Sequence, residues 1–554
     1  MNLPKLKCDA PPELVEQVRK IEERCDSWAD NLTLLSFPYD VAAWGVLTQI
    51  IDLIEQQIRG HGHGSPEQRD AMINLGLAGA LLLDRLRSLE LPTKDGWLRW
   101  TQELKDASKD AVLSAHNCMA FISCFTTWHQ DRRAISVLSP TQLRFTVQGS
   151  SVTRRINAYQ QGRRLPDWPS TPDNPTGRSF VDDPDVNQLL FRLYEKVTFE
   201  GALAIRYPND SELLSYLRDI DDERLRRDFR RNPSLDLGGY DLTEFRKFFA
   251  VLVSVCSVHE WVCGAWEKNC GRYPFESAVL VKSVSEWTSL IASLSHLDEG
   301  QVRLMLSDLT FGTIRPLDIY IHPFVPSLDA ETLSVIPHVI LNSRPEENIL
   351  RVCALKRPKC YRPIANLKEE EMRDGIKAKC AAQYSVFGPL KLPDPKLPNI
   401  DIIVKDRESS ILLVGEVKWL RKPTRVIDQP GKDAELEEGF RQLKDVRGFL
   451  ERCPDFLSDR GILQRGQRPL LSFAVIARDH LTETRDQGDT WIAEYDALLW
   501  ALNGSNNLGD AIRKLQALEW LPVAGRDFVV QFEPASLAGV TIESEVFHRV
   551  RIPK

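Results

Sequence analysis

Apolar residues recur at intervals of three and four positions through much of the first 165 residues. Near the start, Leu14, Val18, Ile21 and Cys25 fall on one face of a helix that begins after two prolines. The same periodicity covers residues 40–58 and 68–89 and, with breaks, roughly 96–137. We therefore predict a helical domain over residues 1–165.

A proline-rich stretch interrupts this pattern. Residues 166–186 contain five prolines and read as a linker or long surface loop. Helical periodicity then returns up to about residue 310 and gives way to short apolar runs. We predict a second mainly helical domain, with some strands, over residues 187–340.

Beyond residue 340, short apolar runs alternate with helical stretches. Two runs, residues 400–406 and 411–418, flank a polar turn and predict an antiparallel hairpin. A helix over about 434–452 and a buried strand over 470–478 follow. Such alternation is typical of an α/β domain built on a mixed sheet.

The chain, at 554 residues, is too long for one hydrophobic core. We predict a multidomain protein with a mainly α-helical N-terminal region, followed by an α/β domain with a central mixed β-sheet over residues 341–554. Apolar residues make up 43% of the chain and charged residues 27%, which is ordinary for a soluble globular protein. We find no nucleotide-binding loop of the G-x-x-x-x-G-K-[ST] kind.

Charge and targeting signals change this picture little. The net charge is −7, but residues 341–554 carry 34 basic and 32 acidic residues against 37 and 46 in the remainder. This asymmetry weakly favours a polyanion partner for the C-terminal part. The sequence lacks a long apolar run and an N-terminal signal core, so we expect a cytoplasmic protein with no membrane partner.

One group of cysteines and a histidine has a spacing that suits metal ligands. Cys256, His259 and Cys263 lie on one face of a strongly helical stretch, and Cys270 follows. A structural zinc site normally draws on two separated ligand pairs, which this stretch does not provide. We interpret the group as core packing, with a metal site as the weaker alternative.

Three charged residues interrupt the apolar strands of the predicted hairpin. With the loop at residues 407–410, position 406 opposes 411, so Asp401 opposes Glu416 and both side chains project from one face. Lys418, two residues beyond Glu416, lies on that face as well. This convergence depends on the register, because a slip of one residue would separate the groups.

Two carboxylates this close repel unless a positive charge lies between them. Mg²⁺ or Mn²⁺ suits such hard oxygen ligands. A bound divalent ion can polarise a phosphoryl oxygen and lower the pKa of a bound water. A neighbouring lysine can orient that water or stabilise charge on the phosphate, so the set suits phosphodiester hydrolysis. The same residue types also occur at hairpin ends that simply face water.

The surroundings of the hairpin favour a site over a solvated end. Glu416 and Lys418 lie at the end of the apolar run "ILLVGEV", which is typical of an interior strand. Arg421, Lys422 and Arg425 follow in a stretch without acids and are candidate contacts for a nucleic-acid backbone. The next predicted helix carries Gln442 beside its apolar face, from which the amide could reach the sheet.

The order of a helix with acids, a strand with Asp401, a strand with Glu416 and Lys418, and a helix with Gln442 resembles the PD-(D/E)XK nuclease superfamily. The resemblance covers about residues 345–500 and implies a restriction-endonuclease-like fold. It implies that Asp401 and Glu416 are metal ligands and that all four residues are catalytic. Ile400 stands where the motif has proline.

The resemblance also implies an acid on the preceding helix. Glu369, Glu370 and Glu371 are adjacent, so one or two of them can face the sheet. We favour Glu370 as the third metal ligand.

The function implied is a metal-dependent nuclease that uses Mg²⁺ (or Mn²⁺) and acts on DNA in preference to RNA. The helical region would recognise a target, restrain the nuclease or assemble the protein as a homo-oligomer or with a partner protein. By analogy alone, this architecture fits prokaryotic antiviral defence. Two alternatives stay open: a catalytically silent nuclease fold that binds nucleic acid or serves as an assembly scaffold, and a helical interaction protein.

Overall fold

A computed structural model describes most of the chain. The described residues are 11–61, 66–89, 100–164, 184–200, 204–229, 235–313, 318–380, 382–407, 410–420, 429–478, 481 and 490–549. The fold is mixed α/β, and the described strands form four sheets. Most of the predicted linker, residues 166–183, lies outside the described residues.

Helices dominate the part of the chain before residue 342. They are α1 (Pro12–Asp26), α2 (Tyr39–His61), α3 (Pro66–Arg87), α4 (Gln102–His129), α5 (Ser151–Arg164), α6 (Pro184–Tyr194), α7 (Ser211–Asp228), α8 (Leu242–Cys270), α9 (Val284–Ser295), α10 (Glu299–Asp308) and α11 (Pro337–Leu341). Short strands lie between them: β1 (Arg133–Ser139), β2 (Gln142–Val147), β3 (Thr198–Glu200), β4 (Ala204–Arg206), β5 (Leu280–Ser283), β6 (Val325–Pro326) and β7 (Thr332–Val335).

The C-terminal part contains the remaining elements. They are α12 (Pro345–Lys356), α13 (Pro358–Lys379), β8 (Tyr384–Phe387), β9 (Ile402–Asp406), β10 (Ile411–Trp419), α14 (Gln429–Arg452), α15 (Phe456–Asp459), β11 (Leu470–Arg478), β12 (Thr490–Glu494), α16 (Tyr495–Asn503), α17 (Leu508–Gln516), β13 (Phe528–Leu537) and β14 (Val540–Arg549). The predicted hairpin, the helix that follows it and the strand at 470–478 are confirmed.

The two helical regions share a hydrophobic core. Side chains of α2, α3 and α4 pack against Cys263 of α8 and against Phe311 and Val325. A second core surrounds α8 and includes Ile349 of α12. The helical regions are therefore packed together across the predicted linker.

The helix α8 is apolar enough, by length and composition, to cross a membrane. It starts at a capping box in which Asp241 and Glu244 satisfy each other's backbone N–H groups, and it ends at Gly271 in the left-handed conformation. In its most apolar stretch, 78% of the residues are buried inside the protein. This helix forms the centre of the helical core.

A four-stranded sheet joins the two ends of the chain. The strands β1 and β2 form a hairpin within the predicted helical domain, and β14 pairs in parallel with β2 while β13 forms the far edge. Residues 133–147 alternate between inward and outward positions, which is the period of a strand and not of a helix. The buried face packs on α1 and α4 through Phe145, Val540 and Ile542.

A five-stranded mixed sheet, in the order β12-β11-β10-β9-β8, is the centre of the C-terminal part. The strands β10, β11 and β12 are parallel, whereas β8 and β9 are antiparallel to their neighbours. One face packs on α13, α16 and α17 and the other on α14. The strand β10 thus lies in the middle of the sheet between two helical layers.

Candidate active site

The hairpin has the predicted register. Leu413 lies opposite Val404 and Gly415 opposite Ile402, which continues to Asp401 opposite Glu416. Asp401 ends the pairing because its carboxylate Oδ2 accepts a hydrogen bond from the backbone N–H of Val417 at 2.9 Å. The side chain thereby closes the end of the hairpin and is held beside β10.

Glu416 and Lys418 lie on the face of β10 that packs on α14. The Nζ of Lys418 donates to Oε1 of Glu416 at 2.7 Å, and only 6% of the Glu416 side chain is exposed. The backbone of α14 approaches closely here, since a Cβ added at Gly439 would lie 3.5 Å from Cε of Lys418. The structure therefore brings the three hairpin residues together in a largely buried setting.

The helix α13 contributes Glu369 and not the favoured Glu370. Glu369 is partly buried, its carboxylate accepts a hydrogen bond from the backbone N–H of Trp419, and it lies close enough to Asp401 and Lys418 for their charges to influence its pKa. The Glu370 side chain is 56% exposed and faces Arg373 at 3.9 Å. The choice of Glu370 is corrected, because helical rotation turns it away from the sheet while α13 packs through Met372 and Ile376.

Arg373 is a site residue that the sequence analysis missed. It follows Glu369 by one helical turn, and its guanidinium donates to Oδ1 of Asp401 over a long 3.5 Å. The side chain is 15% exposed. Two residues four positions apart on a helix lie on the same face. The spacing of Glu369 and Arg373 could therefore have indicated that both side chains face the sheet.

Gln442 lies on α14 one turn beyond Gly439. Its amide oxygen is buried and has no hydrogen-bond partner among the described residues. The neighbouring Leu443 and Phe440 pack into the core against the sheet, as predicted for this helix. Its proposed contact with the site stays a prediction.

The predicted backbone contacts Arg421, Lys422 and Arg425 lie outside the described residues, which resume at residue 429. Their role in binding nucleic acid also stays a prediction.

Burial and neighbouring charges shift the pKa values of the site residues. Burial, and next the Asp401 carboxylate, raise the pKa of Glu416 from 4.5 to about 7. Burial likewise raises the pKa of Asp401 and of Glu369. Burial opposes the charge on Lys418, but the neighbouring carboxylates, Glu416 foremost, outweigh it and raise the pKa of that ammonium.

At this end of the hairpin, carboxylate oxygens lie beside cationic side chains. Three carboxylates, those of Glu369, Asp401 and Glu416, adjoin two cationic side chains, so the fully ionised group carries a net charge of −1. Oxygen donors of this kind are those that Mg²⁺ and Mn²⁺ prefer.

Three members of the cysteine and histidine group on α8 pack in the core, whereas the fourth, Cys270, is exposed. Cys256 and Cys263 are fully buried. The Nδ1 of His259 lies 2.7 Å from the Tyr207 hydroxyl, and Nε2 lies 2.6 Å from the carbonyl oxygen of Ser277. Both ring nitrogens thus have hydrogen-bond partners, which supports the interpretation as core.

In comparisons with known proteins, no family model, no curated protein and no solved structure matched this chain.

Proposed function

We propose that the protein is a metal-dependent nuclease that hydrolyses phosphodiester bonds, with DNA as the favoured substrate. The single observation that supports this most is the meeting of Asp401, Glu416 and Lys418 on adjoining strands in the register read from the sequence. Burial of these groups in the middle of a sheet argues against ordinary solvated hairpin ends.

The arrangement of elements supports the same proposal. The order α13-β8-β9-β10-α14-β11, with helices on both faces of a mixed sheet, is compatible with a restriction-endonuclease-like fold. The acid on α13 and the glutamine on α14 lie on the helices where the resemblance to the PD-(D/E)XK superfamily expects them.

In this proposal Asp401, Glu416 and Glu369 hold a Mg²⁺ or Mn²⁺ ion. When bound, such an ion supplies Lewis acidity toward the phosphate and lowers the pKa of a coordinated water. The carboxylates must be ionised to act as ligands, so the raised pKa of Glu416 makes binding weaken at acid pH.

The cationic side chains act on water and phosphate. Lys418 is held by Glu416 at 2.7 Å and presents an ammonium that can orient the attacking water or stabilise charge on the phosphate. Arg373, whose described contacts with acids are long, has guanidinium donors that suit a phosphate oxygen. Gln442 would orient the lysine or the substrate.

The remaining expectations belong to this proposal. The helical region would recognise the target or restrain the nuclease, in a cytoplasmic protein of prokaryotic antiviral defence that acts as a homo-oligomer or with a partner protein. The α8 core and the sheet shared by β2 and β14 support a regulatory role, because they join the two parts physically.

A cleavage assay tests the proposal. Plasmid, linear duplex, single-stranded DNA and RNA are incubated with the full chain in Mg²⁺, Mn²⁺ or chelator. We expect metal-dependent cutting that Glu416→Ala and Lys418→Ala abolish while DNA binding is largely retained. Glu370→Ala, at an exposed position on α13, serves as the matched control and should cut normally.

Two outcomes would contradict the proposal. Cutting retained in either hairpin variant would remove the assigned residues from catalysis. Binding of DNA by the parent chain with no cutting in any metal would favour the silent scaffold instead.

A further inference from the structure

A second group of metal-binding side chains lies in the helical core and shares no residue with the hairpin site. Glu55 on α2, Glu260 on α8 and His338 on α11 come together from distant parts of the chain, with one potential ligand atom of each within 4.8 Å of the others. Nε2 of His338 lies 3.1 Å from Oε1 of Glu55, and Nδ1 lies 3.1 Å from Oε1 of Glu260.

The group is buried to a degree unusual for two carboxylates. The side chains of Glu55, Glu260 and His338 are 14%, 19% and 9% exposed. Buried charges in proteins are paired or coordinate metals, because their desolvation is costly. A protonated His338 would leave the three side chains with a net charge of −1, whereas a divalent ion with neutral imidazole would leave them with zero.

The hydrogen bonding of the group is incomplete. Nδ1 of His338 and Oε1 of Glu260 are buried and 3.1 Å apart, yet they are not aligned as a hydrogen bond and have no other partner among the described residues. Buried polar atoms in native proteins usually have well-aligned partners, so a bound ion would satisfy two atoms that their mutual ion pair leaves misaligned. The other carboxylate oxygen of Glu260 accepts a hydrogen bond from the Tyr273 hydroxyl at 3.3 Å, and this bond orients the carboxylate.

We propose that Glu55, Glu260 and His338 form a three-ligand site for a first-row divalent transition-metal ion, with Zn²⁺ as the first candidate. One imidazole and two carboxylates are a mixed nitrogen and oxygen donor set, which suits such ions better than Mg²⁺. The site would fasten three helices that are far apart in sequence. This inference does not depend on the proposed nuclease function.

The test separates this site from the hairpin site. The full chain carrying Asp401→Asn and Glu416→Gln is purified, loaded with Zn²⁺, dialysed and analysed for bound metal by mass spectrometry. We expect one equivalent of Zn²⁺ and a higher melting temperature that chelator reverses. Adding Glu55→Gln should lower the affinity for Zn²⁺ by at least about tenfold.

Matched controls make the outcome decisive. Glu267→Gln lies on the same helix α8, in an ion pair with Arg59, and should bind Zn²⁺ as the parent does. X-ray absorption of the loaded parent should show imidazole and oxygen ligands, which decides the matter even if Glu55→Gln fails to fold. A parent that retains no metal, or equal binding with Glu55→Gln, would overturn the proposal and leave His338 as a protonated bridge between two carboxylates.

Discussion

The Glu416→Gln substitution should stabilise the metal-free fold at alkaline pH while abolishing the proposed catalysis. The structure raises the pKa of this carboxyl from 4.5 to about 7, so the folded state disfavours its ionised form. The difference corresponds to a cost of about 3 kcal/mol once the group is fully ionised. Glutamine has nearly the same shape and never ionises.

The sign of the effect follows from proton binding. Below pH 4.5 the carboxyl is protonated in both states and costs nothing. Between pH 4.5 and 7 the folded state holds a proton that the unfolded state has lost, so stability falls as pH rises. The raised pKa already includes the attraction between Glu416 and Lys418, so replacing the carboxylate with an amide of the same shape should stabilise the metal-free fold by up to about 3 kcal/mol above pH 7.

Thermal melting in chelator between pH 4.5 and 8.5 measures this gain. At pH 8.5 the variant should melt about 2–3 °C above the wild type, and the difference should vanish toward pH 4.5. Mg²⁺ should raise the melting temperature of the wild type at pH 8.5 more than that of the variant. Glu370→Gln, on the exposed side of α13, should show neither effect. A gain independent of pH, or a loss at pH 8.5, would refute the assigned electrostatics.

Three further predictions concern the surroundings of the hairpin. Arg373→Gln should slow cleavage about 100-fold, because it removes one donor that stabilises charge in the transition state. DNA binding measured in Ca²⁺ should be largely unchanged. Equal cleavage rates for the variant and the wild type would exclude the arginine from the reaction. Glu369→Gln should raise the Mg²⁺ concentration needed for half-maximal cleavage, whereas Glu370→Gln should not. If only Glu370→Gln raised that concentration, Glu370 would be the metal ligand, as the sequence analysis expected. Gly415→Val would press on side chains 2.7 Å from its Cβ and should destabilise the fold by about 1–3 kcal/mol in melting experiments, so an unchanged melting temperature would contradict the tight packing of β10.

The hairpin could be predicted because its information is local. A short loop sets the register of an antiparallel pair, and alternation then decides which side chains share a face. That reasoning is sufficient to bring Asp401, Glu416 and Lys418 together from the sequence alone, as the structure does. It also gave the strand at 470–478 with its bounds unchanged.

The acid on α13 was harder because three glutamates are consecutive and helix rotation decides among them. That rotation is set by Met372 and Ile376, which pack against the sheet, so the choice of Glu369 follows from tertiary contacts. The cluster of Glu55, Glu260 and His338 also depends on tertiary contacts, because its members lie on three separate helices. The spacing of residues in the sequence does not indicate which distant residues come into contact.

The β1-β2 hairpin was missed for a different reason. Helical periodicity in α4 runs up to residue 129, and the strand begins only four residues later. A polar turn separates two runs in which apolar and polar residues alternate with a period of two. This pattern indicates a hairpin, but the sequence analysis assigned it to the preceding helical stretch. The partner of the hairpin, β14, lies about 400 residues away, so its pairing had no local signal.

The pairing of β2 with β14 limits how the C-terminal part, the proposed nuclease, can be isolated. A fragment of residues 341–554 would contain β13 and β14 but would lack the strands β1 and β2 of the same sheet and the helix α4 that packs on it. Val540 and Ile542, fully buried in the whole chain, would then face water, at a cost of roughly 1.5–3 kcal/mol each. Inactivity of such a fragment would therefore reflect lost packing and would say nothing about the hairpin chemistry. Because the N-terminal region completes the fold of the C-terminal strands, the proposed nuclease has to be tested, and its control by the helical region sought, in the full chain.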